Sequence, residues 1–289
     1  MPSSFLSECK QKVLNRIESL LVNNDPVTSS MRYSALADSK CIRGGLVFAS
    51  GKLEGHHDEV GLTDIATSIE LMHTYSLIHD DLPAMDDDGM RRGQPSNHVK
   101  FNEATAILAG DALQALAFET IASSKGIIDA HKVEAIKMLA LACGHQGMVL
   151  GQQYDLDAEK NESLDIELIH SLKTAKLIQV ALVMPYLGNE MHKKTQVLLD
   201  NLGGKIGLAF QIMDDVLEVS SDSVTLGKSN LSDITNKKMT YVSVYGFEES
   251  IQKAEALSNF CIEQIQENFE IDKARELIEL MHLMVSRSN

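Results

Sequence analysis

The chain has 289 residues and a formal net charge of −15, with 41 acidic against 26 basic side chains. That balance excludes a general nucleic-acid binder, which needs a basic surface, although a negative body can still hold an anion through local cations or a divalent metal. An apolar fraction of 44%, with no Trp and only five prolines, fills a sizeable core and favours helix over sheet.

Taken in chain order, "SECKQKVLNRIESLL" reads as a first helix that ends near "NNDP". It is amphipathic and mixed in charge, unlike a signal peptide, and no run of about 18 apolar residues predicts a membrane span. "GLTDIATSIELMHTYSLIHDD" is a long, strongly apolar helix ending close to Pro83. "FNEATAILAGDALQALAFETIASS" starts at an Asn102 cap and stops before Gly126. Further helices fit 130–155, 164–187, 191–221 and 239–286, the last with breaks. Strict alternation is almost absent. Several helices are apolar around most of their circumference, which predicts central, buried positions. No linker or repeat divides the chain, so residues 1–289 read as one all-α domain around one cavity. Cys9, Cys41, Cys143 and Cys261 are far apart and form no CxxC pair. A disulfide framework or zinc site is not expected, and a reducing, cytoplasmic compartment fits.

Two acidic clusters carry the chemistry. The first is Asp80-Asp81 with Asp86; the second is "FQIMDDVLE", with Asp214, Asp215 and Glu218. Asp214 and Glu218 share a helix face. Asp80 and Asp86 would not in a straight helix, but Pro83 can bend the chain so that Asp86 turns back. Carboxylates this dense raise one another's pKa unless something positive sits among them. Mg²⁺ is the natural candidate, being a hard ion that takes oxygen ligands, keeps waters and is completed by substrate phosphates. A surface run of Asp is usually just a solvated loop, yet both clusters here end apolar helices. The cations complete the pattern. Arg91 and Arg92 follow the first cluster, Lys173-Thr174 interrupts an apolar helix, Lys228 follows the second cluster, and Lys238 sits in "NKKMTY". Arg suits a bidentate phosphate grip and Lys a point-charge contact. The residues together predict metal-bound carboxylates around a diphosphate with an apolar tail.

With "DDLPAMDDDGMRRG", "GLAFQIMDDVLEV", "MRYSALADSKCIR", "GQQYDLDAE", "LKTAKLI", "TLGK" and "NKKMTY" in this order, the chain resembles the trans-isoprenyl diphosphate synthases, the bacterial farnesyl diphosphate synthases in particular. The resemblance spans nearly the whole chain. It implies an all-α isoprenoid-synthase fold, a homodimer, three Mg²⁺ ions, and the substrates isopentenyl diphosphate and an allylic diphosphate. Asp80 and Asp86 match ligands of two metals and Asp214 the ligand of the third. Arg91, Lys173, Thr174, Gln211 and Lys228 match the grip on the allylic diphosphate, with Lys238 close by. Lys40, Arg43, His73 and Arg92 match the isopentenyl diphosphate pocket. His73 alone would be read as a packed core histidine, and His79 is left structural. The reaction implied is head-to-tail condensation, with Tyr75 and Ser76 below the first cluster setting product length. A bulky residue at Tyr75 implies a C15 product, with C10 and C20 as alternatives.

Some positions depart from the family pattern. Asp38-Ser39 replaces a glycine pair, Cys41 an Arg and Gly44 a Pro, while Lys40 and Arg43 remain. A carboxylate at Asp38 is expected to weaken anion binding nearby. Gly89 replaces a common acidic residue, and Glu218 replaces an Asp and is not expected to touch metal. A terpene cyclase is a rival reading, disfavoured by the retained Lys40, Arg43, His73 and Arg92. A non-catalytic partner subunit is another, disfavoured by the retained aspartates.

Overall fold

Asp25 accepts the Thr28 N–H ahead of Pro26, Asp58 accepts from Val60 and Gly61, and Asn102 accepts from Thr105 at 2.9 Å. Such caps satisfy backbone donors that a helix start would otherwise leave open. The computed structural model describes residues 4–54, 58–158, 164–188, 192–226 and 239–286. Over these the elements are α1 (Ser4–Leu20), α2 (Pro26–Ala35), α3 (Ile42–Lys52), α4 (Glu59–Asp80), a hairpin of β1 (Met90–Arg91) and β2 (Gln94–Pro95), α5 (Asn97–Lys100), α6 (Glu103–Ser123), α7 (Asp129–Cys143) and α8 (Met148–Ala158). They continue as α9 (Ile166–His170), a π-helical turn (Ser171–Ala175), α10 (Lys176–Val183), a 3₁₀ turn (Met184–Tyr186), α11 (Lys193–Leu226), α12 (Tyr241–Tyr245), α13 (Phe247–Asn268) and α14 (Ile271–Val285). The all-α class holds.

The chain's contacts group it into two compact units, Met1–Leu139 with Ala181–Lys193, and Ala140–Val180 with Lys194–Asn289. In the first, α4 packs against α1, α2, α3, α6 and the 3₁₀ turn. It is buried around most of its circumference, with Ile65, Ile69, Leu71, Met72 and Ile78 inside. Each such side chain contributes about 1.5–3 kcal/mol. By length and composition α6 could cross a bilayer, contrary to the sequence expectation; in the fold it packs against α2, α4 and α5. In the second unit, α11 lies tightly on the preceding helical segment. A Cβ at Gly203 would stand 2.8 Å from the Gln179 Cα, and one at Gly207 2.6 Å from the Ala175 Cα.

Three local features differ from the sequence reading. The helix expected over 130–155 is two helices. The Gly144 and Gly147 amides make turn bonds to the Ala140 and Gly144 carbonyls at 2.9 and 3.0 Å, and a side chain at Gly147 would collide with the Ala142 carbonyl. The segment 164–187 is broken by the π turn at Ser171–Ala175 and ends in the 3₁₀ turn. The hairpin was not foreseen. Its turn is Arg92-Gly93, with φ of 53° and 77°, and positive φ at both central residues matches the twist of a tight antiparallel pair.

Candidate active site

The first acidic cluster is a closed loop at the end of α4. Pro83 stops the helix, and the backbone turns back until the Asp86 N–H donates to the Asp80 carbonyl at 2.9 Å. The Met85 and Asp87 amides both donate to the Leu82 carbonyl, at 2.8 and 3.2 Å. Asp80 and Asp86, six residues apart, thus hang from one tight loop, both half-buried. Asp87 adopts a left-handed φ of 53° within it. Asp87 and Asp88 are exposed, so the solvated reading fits them.

Asp81 is different. It is 2% exposed and accepts from Arg91 through Nε at 2.9 Å and through the adjacent terminal nitrogen. Arg91 also donates to Asp88 at 2.8 Å. Burial pushes the Asp81 carboxyl up, and Arg91 opposes that shift. Asp81 therefore anchors the Arg91 guanidinium at the rim of the loop, a role the sequence reading missed.

Beside this loop, Arg43 and His73 meet, with an Arg43 terminal nitrogen 3.2 Å from His73 Nε2. Burial pushes the imidazole well below its ordinary value, and the charges of Arg43, Arg92 and Arg91 push the same way. A neutral ring that meets one guanidinium and feels the charge of two more marks a positive field suited to an anion. Arg92 is exposed on the hairpin turn, and Lys40 is exposed ahead of α3. Asp38 is not a lone carboxylate against this field: Lys10 pairs with it at 2.5 Å and holds its pKa down. The local penalty expected from Asp38 is offset accordingly. Tyr75 is buried, its ring edge-on to His79 at 5.7 Å. The His79 ring sits over Gly110 of α6, where a Cβ would lie 2.1 Å from Nε2, and Nε2 is 3.1 Å from the Ile107 carbonyl. These contacts place His79 in the packing of α4 against α6. Ser76 donates to the His73 carbonyl at 2.9 Å.

In the second unit, the π turn presents Lys173 and Thr174. Its extra residue per turn redirects side chains that a regular helix would spread around its axis. Lys173 Nζ donates to Asp155 of α8 at 2.6 Å. Thr174 donates to Gln211 Oε1 at 2.7 Å, and Gln211 Nε2 donates to Asp215 at 3.3 Å. Asp215 also accepts the Tyr241 N–H at 2.6 Å and lies 3.4 Å from His170 Nε2. Burial pushes its carboxyl up to about 7, against the hydrogen bonds from Tyr241 and Gln211. Asp215 is a buried pin that starts α12, while its neighbour Asp214 is half-buried and Glu218 is exposed. Lys228 and Lys238 lie outside the described residues. Sequence reasoning missed Asp155, and it placed Asp215 in the second cluster without its structural role. For Asp155 the available signal was the quoted "GQQYDLDAE" segment; for Asp215 it was the adjacency to Asp214.

Magnesium fits the donor sets present. Asp80 and Asp86 offer two hard oxygen ligands on one loop, and Asp214 offers another. Among the described residues no three His, Cys, Asp or Glu side chains converge into an all-protein cage. One or two carboxylates completed by water and phosphate is the ordinary magnesium arrangement.

Comparison with known proteins gives one consistent picture. A sequence model of the polyprenyl synthetase family matches residues 24–281. The farnesyl diphosphate synthase of Escherichia coli is 43% identical over 257 residues, covering 87% of this chain and 86% of that protein. The crystal structure of a geranyltransferase from Legionella pneumophila superposes with a TM-score of 0.86 at 32% identity, covering 99% of this chain and 97% of that one. A geranyltransferase from Helicobacter pylori, crystallised with magnesium and isoprenyl diphosphate, superposes at 0.78 with 30% identity, covering 99% and 98%.

Proposed function

Because the chain belongs to the polyprenyl synthetase family, we propose that it condenses isopentenyl diphosphate with dimethylallyl and geranyl diphosphate to give farnesyl diphosphate. It acts as one polyprenyl synthetase domain, a reading supported by a family match that runs from 24 to 281 through both units. The observation that carries the chemistry is the closed loop in which the Asp86 amide bonds the Asp80 carbonyl, with Arg91 anchored beside it.

Arg43, His73, Lys40 and Arg92 hold isopentenyl diphosphate. Arg91, Lys173, Thr174, Gln211, Lys228 and Lys238 grip the allylic diphosphate. Three magnesium ions held by Asp80, Asp86 and Asp214 would supply positive charge to the departing diphosphate. The allylic C–O bond breaks and its electron pair leaves with the diphosphate. The double bond of isopentenyl diphosphate attacks the allylic cation and forms the new C–C bond. A proton then passes to the released diphosphate as the new double bond forms. Lys173, fixed by Asp155, and Arg91, fixed by Asp81, orient the leaving group without reorganising. His73, neutral in the positive field, accepts from Arg43 and is not needed as a base. Thr174 and Gln211, bonded to each other, offer oxygens that steady the cation, or place phosphate through their O–H and N–H donors.

Tyr75 limits product length to C15, supported by its burial beneath the loop; geranyl or geranylgeranyl diphosphate is the alternative product. The four cysteines, buried and with no CxxC pair among them, support a reducing, cytoplasmic setting. A homodimer is supported by Ile107 and Leu108 on α6 and Val133 and Leu141 on α7, all exposed. The test incubates purified protein with magnesium, isopentenyl diphosphate and dimethylallyl or geranyl diphosphate, followed by chromatography. A C15 product is expected, shifting to longer products in Tyr75→Ala. Hydrocarbon formed without condensation would establish a cyclase instead, and no turnover by the isolated chain would favour a partner subunit. Crystals grown with magnesium and inorganic diphosphate should show ions at Asp80, Asp86 and Asp214.

A further inference from the structure

We propose that Glu70 is a positioning residue for the isopentenyl diphosphate pocket: from α4 it caps the first turn of α3 and thereby fixes where Arg43 stands against His73. The inference rests on the assignment of Arg43 and His73 to that pocket under Proposed function.

α3 begins without a side-chain cap of its own. Cys41, at its N-cap, has a left-handed φ of 51° and makes no side-chain capping bond. The open N–H groups of the first turn need acceptors. Glu70 supplies one from the neighbouring helix, since the Gly44 N–H donates to Glu70 Oε1 at 2.7 Å in buried surroundings. The residue is 7% exposed, and a carboxylate at a helix N-terminus is also favoured by the helix dipole. Cys41 packs on the same carboxylate. Burial, with the charge and hydrogen bonding of Glu70, pushes its thiol well up. Arg43 sits between Cys41 and Gly44, so the turn that bears it is tied on both sides. Glu70 precedes His73 by three residues on α4, on the same face. One rigid helix therefore carries both the clamp on Arg43 and the ring that Arg43 touches. Arg92 also lies within the field of Glu70.

The departures at 41 and 44 from the family pattern meet at this carboxylate. A Pro at 44 would have no N–H to donate. A Cβ at Gly44 would stand 2.9 Å from Cys41 Sγ and 3.4 Å from the Glu70 side chain. Glycine supplies the donor and leaves room for the thiol. The substitutions that break the motif thus build a different way of holding the same arginine.

The test compares steady-state kinetics of the full chain and its Glu70 variants, each checked by thermal melting. Glu70→Ala is expected to raise the KM for isopentenyl diphosphate about tenfold, with the KM for geranyl diphosphate within about twofold of the parent. Glu70→Gln keeps an oxygen for the Gly44 N–H and is expected to recover most of that loss. If Glu70→Ala does not fold, Glu70→Asp carries the test, because it keeps the charge but falls short of Gly44; a KM for isopentenyl diphosphate raised about fivefold or more is expected. Unmoved KM values, equal rises for both substrates, or a Gln variant as impaired as the Ala variant would overturn the assignment. A parent chain that never consumes isopentenyl diphosphate would instead overturn the reading on which it rests.

Discussion

In the pairs Asp80-Asp81 and Asp214-Asp215, one member turns inward and the other is left half-buried. Asp81 is 2% exposed against Arg91 and Asp215 is 5% exposed against Tyr241 and Gln211, while Asp80 and Asp214 are half-buried. Successive helical residues lie about 100° apart, so adjacency in sequence means separation in role. The clusters were legible as clusters; which carboxylate would be consumed by folding was not, because the partners of Asp215 lie as far off as position 241. Arg43 and His73 were likewise legible only through resemblance, being 30 residues apart. The state of His73 yields a pH prediction. Its imidazole titrates well below the ordinary 6.5 in the folded chain, so between that depressed value and 6.5 the unfolded chain binds more protons. The stability contributed by the neutral ring is present above 6.5 and is lost as pH falls below it. The ligand-free protein should melt at lower temperature as pH drops from 7 towards 5.5, and His73→Gln should flatten that slope. An unchanged slope in the variant would show that other groups carry it.

At the scale of elements, α4 and α6 could be read directly because each joins a cap, a long apolar run and a breaker. α2 and α3 could not. α3 contains Gly44, Gly45 and Gly51, poor helix formers, and is held by burial of all of Ile42–Gly51 except Arg43. Ser50 donates to the Leu182 carbonyl at 2.6 Å, and Tyr186 donates to the Ser50 carbonyl, bonds that no local sequence signal announces. The π turn is equally silent in sequence, because its extra residue is accommodated by a neighbouring helix. A Cβ at Gly151 of α8 would lie 2.2 Å from the Lys173 amide nitrogen. Gly151→Ala must therefore push the π turn away, and with it Lys173 from Asp155. The expected cost is about 1–3 kcal/mol of stability, together with a raised KM for the allylic substrate, measured by denaturant unfolding and initial rates. Gln153→Ala, an exposed neighbour, serves as the control and should leave both unchanged.

For the whole molecule, the net charge of −15 is unevenly used, since the charges of Arg43, Arg91 and Arg92 all act on one imidazole close to the acidic loop that Arg91 pairs with. Diphosphate binding should weaken with added salt far less in the presence of magnesium than in its absence, because ion-bridged contacts replace screened ones. Sedimentation velocity should give twice the 31.8 kDa chain mass, and charged substitutions at Ile107 and Leu108 should halve it; a parent chain that sediments as a monomer would remove the dimer from the account. The helical class was legible from composition and periodicity alone, whereas the grouping of contacts into two units was not, because it depends on returns of the chain over long separations. One structural feature also serves the experimenter. All four thiols are buried, with Cys9 and Cys261 pushed up to about 12 and Cys41 well above its ordinary value by burial. Maleimide dyes attack thiolate, so the native chain should react with them slowly. A single cysteine introduced at exposed Ala84, on the loop between Asp80 and Asp86, would accept a fluorophore selectively and turn the loop into an optical reporter of magnesium and diphosphate, with no native residue first removed.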